Sequence, residues 1–270
     1  MANDFKKLPK IELHYHLRGA IPTAAARQLS RRYCPHVTDA EFEAFFDIGD
    51  FKSFWRAYDF VTGLVRDEED FAFAAGFAAE QLRQENVIYS EVSLTPFAFA
   101  GIQPCRVLEI TREAFQQAGV RMSFIAPFER HDPPNVAADK YAFYKEAREF
   151  GIRGIGLAGD ECANPTPAFA KIFDRAKADG FGITVHAGEY RDCSNVAFAV
   201  RRLCADRIGH GNNISDPTLT DEIIEKGVHI EMCPLSNMRL NRQITPENYD
   251  LPRYIRNGMS ISVNSDDPGI

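Results

Sequence analysis

The sequence predicts an α/β fold of the TIM (β/α)8 barrel class, and two observations carry that expectation. Eight short apolar runs recur along the 270 residues, separated by stretches with helical periodicity. Histidines and carboxylates fall at or near the ends of those runs, where a barrel of this class gathers its chemistry.

The runs are Lys10–Leu17, Val87–Leu94, Arg121–Phe128, Ile152–Gly159, Gly182–Gly188, Arg207–Gly211, Val228–Cys233 and Ser260–Asn264. Several are nearly continuous in Val, Ile, Leu, Phe and Tyr, the pattern of strands covered on both faces. Phe71–Leu82 and Pro167–Lys177 carry helical patterns between them. Strands alternating with helices imply right-handed βαβ units and a parallel sheet, and eight such units close a barrel. The stretch from Ala20 to Glu85 is long for one crossover and holds Phe42, Phe45, Phe46, Phe51, Phe54, Trp55, Tyr58 and Phe60. It reads as a pair of packed helices, or as a lid whose aromatics exclude water from the barrel mouth; the two readings are compatible. Residues 1–270 are expected to form a single domain, with 20–85 as a helical insertion. A barrel needs a helix after its eighth strand, so the stop at Ile270 suggests that a C-terminal helical segment is missing.

Composition narrows the function classes. Hydrophobic residues make up 45% and charged residues 26%, as in soluble globular proteins. A net charge of -7 argues against a nucleic-acid partner and gives no support for binding an anionic membrane surface. The first residues lack an apolar signal segment and no uncharged stretch is long enough to span a bilayer, so a cytoplasmic location is expected. Cys34, Cys105, Cys162, Cys193, Cys204 and Cys233 are irregularly spaced without a CxxC pair, which suggests reduced thiols and no metal site of their own.

The chemistry is carried by four short segments. His14 and His16 stand two apart on the first run, and alternation along a strand points both to one face. Taken alone the pair could be strand packing; at the end of a barrel strand it points to a metal. His186 would add a third nitrogen and Asp266 an oxygen, leaving a position for water, as catalytic zinc requires. Glu189, three residues past His186, would be a dipole-stabilised helix carboxylate or a proton shuttle, and its proximity to His186 favours the shuttle. His210 lies between Gly209 and Gly211, which let the backbone turn sharply; it reads as a satisfied barrel histidine or as a group kept near the metal. Asp267 reads as a turn residue or a substrate acceptor.

In order along the chain, Leu8–Leu17, Leu157–Glu161, His186–Glu189, Arg207–Gly211, Glu231–Asn237 and Ser265–Pro268 resemble the ordered blocks of the adenosine deaminase family of the amidohydrolase superfamily. The resemblance implies hydrolytic deamination at C6 of a 6-aminopurine nucleoside, of the adenosine-to-inosine type, with one zinc ion per chain. It implies that His14, His16, His186 and Asp266 hold the zinc and that Glu189 protonates purine N1, which requires a carboxyl kept protonated by an apolar site. It further implies that His210 orients and helps deprotonate the attacking water, that Asp267 binds N7, and that the Gly159 N–H binds N3. The partner is then a small purine, with no nucleic acid and no membrane.

Three departures bear on the substrate. Arg18 stands where the family has an aspartate that reads the ribose 5'-hydroxyl. A guanidinium cannot accept that bond, so Arg18 either meets an anion on the substrate or pairs with a neighbouring acid. Gly156 replaces a frequent aspartate, and Ser93 stands where an arginine is frequent. The same chemistry on free adenine, a 5'-phosphorylated nucleoside or aminodeoxyfutalosine is the alternative; a non-catalytic relic of the fold is disfavoured by the intact metal set and Glu189. A cytidine deaminase type of site is disfavoured, because Pro104-Cys105 runs on into Arg106-Val107-Leu108 and lacks Pro-Cys-x-x-Cys.

Overall fold

The computed structural model describes residues 2–162, 166–190 and 194–270. A strand forms at each of the eight apolar runs, within one residue of the expected limits: β1 (Lys10–His16), β2 (Val87–Ser93), β3 (Arg121–Glu129), β4 (Ile152–Ala158), β5 (Gly182–Ala187), β6 (Arg207–His210), β7 (His229–Met232) and β8 (Ile261–Val263). They make one eight-stranded sheet in chain order, with parallel neighbours, which is the (β/α)8 class expected. The helices are α1 (Ala2–Lys7), α2 (Thr23–Tyr33), α3 (Asp39–Phe45), α4 (Phe51–Gly63), α5 (Glu68–Gln84), α6 (Pro104–Ala118), α7 (Pro134–Glu146), α8 (Ala170–Ala178), α9 (Ser194–Arg201), α10 (Pro217–Glu225), α11 (Pro234–Leu240) and α12 (Leu251–Arg256). The pattern at Pro167–Lys177 starts as a 3-10 turn over Thr166–Phe169 and becomes α-helical only at Ala170.

The chain divides into two compact units. The first comprises Met1–Ser123, Met238–Gln243 and Ser265–Ile270. Its stretch from Ala20 to Glu85 holds four helices rather than the expected pair. The reason is local: Thr38 and Glu41 form a reciprocal capping box that starts α3, and Asp50 with Ser53 forms another that starts α4. Their aromatics pack on one another, with Phe45 stacked on Phe60 at 3.8 Å between ring centres. Ile48, Phe54 and Trp55 lie against a small core of Ala57, Tyr58 and Ile270. On the sheet side of this unit, the buried Tyr15 hydroxyl donates to the Ala78 carbonyl at 3.4 Å, tying β1 to α5.

The second unit comprises Phe124–Asn237 and Ile244–Asn264. β4 and β5 are buried almost throughout, as is β3 from Phe124 onward, as their unbroken apolar runs require, whereas β8 is partly exposed. Gly154 makes room for β3: a Cβ there would come within 2.6 Å of the Ile125 side chain. Phe128 packs against Tyr144 and Phe173, joining β3 to the helices outside it.

No described helix is long and apolar enough to cross a membrane. No disulfide joins the described cysteines; Cys193 lies outside the described residues.

Candidate active site

In the first unit, β1 and the segment after β8 bring His14, His16 and Asp266 together. The Asp266 N–H donates to the His14 carbonyl and the His16 N–H donates to the Asp266 carbonyl, each at 3.0 Å. This parallel bridge between Tyr15 and Asp266 sets the Asp266 carboxylate beside both histidines. A register shift on β1 between Glu12 and Tyr15 marks a bulge, a device that re-aims side chains next to sites. Beyond it His14 and His16 share one side, with their Nε2 atoms 3.2 Å apart and each 3.4 Å from Asp266 Oδ1. Zinc bound at about 2.0–2.1 Å in a tetrahedron spaces its ligand atoms at roughly 3.3–3.4 Å. The three buried donors therefore have the identity and the spacing that zinc takes. Asp266 itself has φ 64°, in the left-handed region that an aspartate tolerates better than most residues.

Glu12 lies beneath this group, buried, and was not anticipated from the sequence. Its carboxylate accepts from the Ser265 N–H at 3.1 Å, the Ser265 hydroxyl at 2.8 Å and the His14 N–H at 3.3 Å. Burial pushes its pKa up to about 7, against the pull of the three donors. The signal was present: Glu12, His14 and His16 alternate, and a carboxylate inside an apolar run needs a partner.

In the second unit, β5 carries His186 near its end, the turn after it carries Glu189, and β6 carries His210. The His186 and His210 rings lie 5.0 Å apart, and His210 Nε2 is 3.7 Å from Glu189 Oε2. His210 has φ 68° and Gly211 φ 60°; a Cβ at Gly211 would meet Ile230 at 2.8 Å. Only glycine fits there, so the turn holding His210 depends on it. On its other nitrogen, His210 Nδ1 lies 3.1 Å from Asn237 Nδ2, while the Tyr249 hydroxyl donates to Asn237 Oδ1 at 3.1 Å. Asn237 thus links His210 Nδ1 to the Tyr249 hydroxyl and leaves Nε2 on the side of Glu189. Asn237 lies in a block read from the sequence, but nothing there showed that it or Tyr249 reaches His210.

The remaining predicted residues divide between the units. Asp267 packs against Gly19, where a Cβ would fall 1.7 Å from Asp267 Oδ1. Arg18 donates from Nε to Thr62 Oγ1 at 3.2 Å, lies over the Tyr58 ring at 4.3 Å, and has Nη2 3.8 Å from the exposed Asp59 carboxylate. Its neighbours are thus on α4, and Asp59 is the neighbouring acid that the sequence left open. Ser93 accepts at its carbonyl from the Leu17 N–H. Gly159 follows β4 directly, with φ 93°, close to Glu129 and Arg130. A Cβ at Gly156 would meet Ile125 and Pro127 at 3.3–3.4 Å, which explains why a strand so packed departs from aspartate there. His131 is exposed, whereas Arg130 is among the largest fully buried side chains.

A parallel eight-stranded α/β sheet with buried histidines and an aspartate at strand ends defines a hydrolase of the metal-dependent barrel class. Residues 9–270 match the sequence profile of the family described as "Adenosine deaminase", and the chain belongs to that family. It is 33% identical to an adenine deaminase of Chelativorans sp. (strain BNC1), over 97% of this chain and 82% of that protein. It is 31% identical to an aminodeoxyfutalosine deaminase of Streptomyces avermitilis, over 97% of this chain and 76% of that protein. Among solved structures, a zinc-bound amidohydrolase from Burkholderia ambifaria superposes with a TM-score of 0.85 at 27% identity, covering 98% of this chain and 77% of that one. The protein is an aminohydrolase, and deaminases of this fold are metal-dependent.

Proposed function

We propose that this enzyme removes the exocyclic amine at C6 of a 6-aminopurine by hydrolysis, releasing ammonia, with one zinc ion per chain. The observation that carries the reading is the buried set of His14, His16 and Asp266, whose ligand atoms stand 3.2–3.4 Å apart, the spacing of a tetrahedral zinc site. In this reading His186 completes the ligand set. When bound, the ion supplies a nucleophilic water at neutral pH. Glu189 delivers a proton to purine N1, which makes C6 electrophilic. His210, with Nε2 on the side of Glu189, orients the attacking water. Asp267 faces N7 and the Gly159 N–H faces N3.

Within that class we favour free adenine over the nucleoside that the sequence resemblance implied. Arg18 cannot accept a hydrogen bond from a ribose 5'-hydroxyl, and its guanidinium is engaged by Tyr58 and Thr62. The name of the Chelativorans relative points the same way. A second reading, an adenine nucleoside with an anionic 5' extension such as aminodeoxyfutalosine, is favoured by the guanidinium N–H groups that Thr62 does not occupy.

The test is ammonia release by zinc-loaded protein supplied with adenine, adenosine, adenosine monophosphate or aminodeoxyfutalosine. Turnover of adenine alone is expected. Selective turnover of an anionic nucleoside, abolished in Arg18→Met, would establish the second reading instead. A zinc-loaded protein that releases ammonia from none of them would overturn both.

A further inference from the structure

We propose that Arg130 and Glu161, two buried charges from different loops of the second unit, are positioning residues that grip the end of β5 at His186 and the following turn at Glu189. The inference rests on the roles proposed for His186 and Glu189.

Glu161 sits in the loop after β4 and is only 2% exposed. Its Oε2 accepts from the Gly188 N–H at 3.0 Å and from Asn195 Nδ2 at 2.8 Å. Its Oε1 accepts from the Glu189 N–H at 2.7 Å and the Tyr190 N–H at 3.4 Å. Three successive backbone N–H groups converging on one point form an anion-binding concavity, and here the anion is the protein's own. Gly188 has φ 76°, the left-handed step that lets consecutive amides point the same way. A Cβ at Gly188 would meet Val196 at 3.0 Å, so the conformation is fixed by packing as well. Glu189 is therefore held through its own main-chain N–H.

The entry to the turn is held by the opposite charge. Arg130, also 2% exposed, donates from Nη2 to the His186 carbonyl at 2.6 Å. Burial lowers its pKa, and the nearby Glu161 carboxylate opposes that shift. A cation on the carbonyl and an anion on the following amides match the dipoles of the peptide groups they touch. Both charges lie in loops some distance from the turn in sequence, so neither is a local cap.

Glu161 must be a carboxylate, because each of its oxygens accepts from two N–H donors. A glutamine of the same shape would turn an NH2 group onto one pair of donors. Glu161→Gln thus tests the grip without changing volume. On whichever aminopurine the parent enzyme turns over, Glu161→Gln is expected to lower kcat about 100-fold with KM little changed, the size of loss that a misplaced catalytic group causes. Glu161→Gln/Glu189→Gln should be no slower than Glu189→Gln, since residues acting as one unit are not additive. Full additivity, or an unchanged kcat in Glu161→Gln, would overturn the role of Glu161. For Arg130, Arg130→Met should weaken zinc binding roughly 10–100-fold in competition with a chelator, as loss of an outer partner of a ligand does; unaltered affinity would overturn that half.

If Glu161→Gln does not fold, amide hydrogen exchange on the unmodified protein decides the matter. The amides of Gly188, Glu189 and Tyr190 should exchange as slowly as those of β5, and rapid exchange would overturn the proposal. That measurement stands even if no aminopurine is turned over, so failure of the proposed function and failure of the grip remain separable.

Discussion

Glu12 shows how a single carboxylate orders the backbone around a group of proposed metal ligands. It accepts from Ser265 and from the His14 N–H, and so fixes the strand end that presents Asp266 and His14. Glu12→Gln keeps the shape but points an NH2 group at one set of donors. We predict a fall in zinc affinity of roughly 10–100-fold, read by chelator competition. Unchanged affinity would show that the bridge between Tyr15 and Asp266 is sufficient by itself. At this scale, legibility followed local pattern. His14 and His16 could be read because strand alternation alone puts them on one face. Glu161 and Arg130 could not, because their partners lie across loops and only the folded chain brings them together. Asn237 was likewise visible as a motif member but not as the partner of His210 Nδ1.

Among the elements, strands were more legible than helices. Each strand is an apolar run with a sharp end, and all eight were placed within one residue. The helices after β1 were read as a pair because aromatics fill the stretch evenly; the breaks come from capping boxes at Thr38 and Asp50. Thr38→Ala removes the cap of α3 and should cost about 1 kcal/mol, measured as a shift in the urea midpoint at constant slope. A loss well below that would mean that α3 is held by packing alone.

A second element-level expectation concerns the β7–β8 pair. His229 bonds through Nδ1 to the Ser260 hydroxyl at 2.8 Å and through Nε2 to the Ser262 hydroxyl at 2.9 Å. Burial lowers its pKa below the usual 6.5, partly opposed by Glu231 and aided by Arg207. The folded chain therefore takes up this proton less readily than the unfolded chain. The stabilising contribution is complete above pH about 6.5 and is lost as pH falls below that value. Denaturation at a series of pH values should show this slope in the parent protein and not in His229→Gln. A variant with the same slope would assign the acid sensitivity to other groups.

For the whole molecule, the class of chemistry was legible before the fold was known, because the ordered blocks run from the first strand to Pro268. What the blocks left open was the substrate, and the reason is physical. The departures at Arg18 and Gly156 concern which atoms are nearby in space: Tyr58 and Thr62 for the first, Ile125 and Pro127 for the second. If one zinc ion serves the proposed ligand set, it binds the folded chain alone and stabilises it by mass action. Exhaustive chelation should lower the melting temperature by about 10 °C, and added zinc should restore it. A melting temperature indifferent to chelator would count against a zinc site of this kind.

The contact between Gly19 and Asp267 also limits how the protein can change over time. Position 19 has no room for a side chain while an aspartate occupies position 267, because a Cβ would fall 1.7 Å from its Oδ1. A lineage that gains any residue at 19 must first lose the bulk at 267, and with it the carboxylate proposed to face the purine. The reverse order passes through an intermediate with overlapping atoms. The two positions, 248 residues apart in numbering (267 less 19), are thus bound to a mutational order in which change at 19 waits on change at 267.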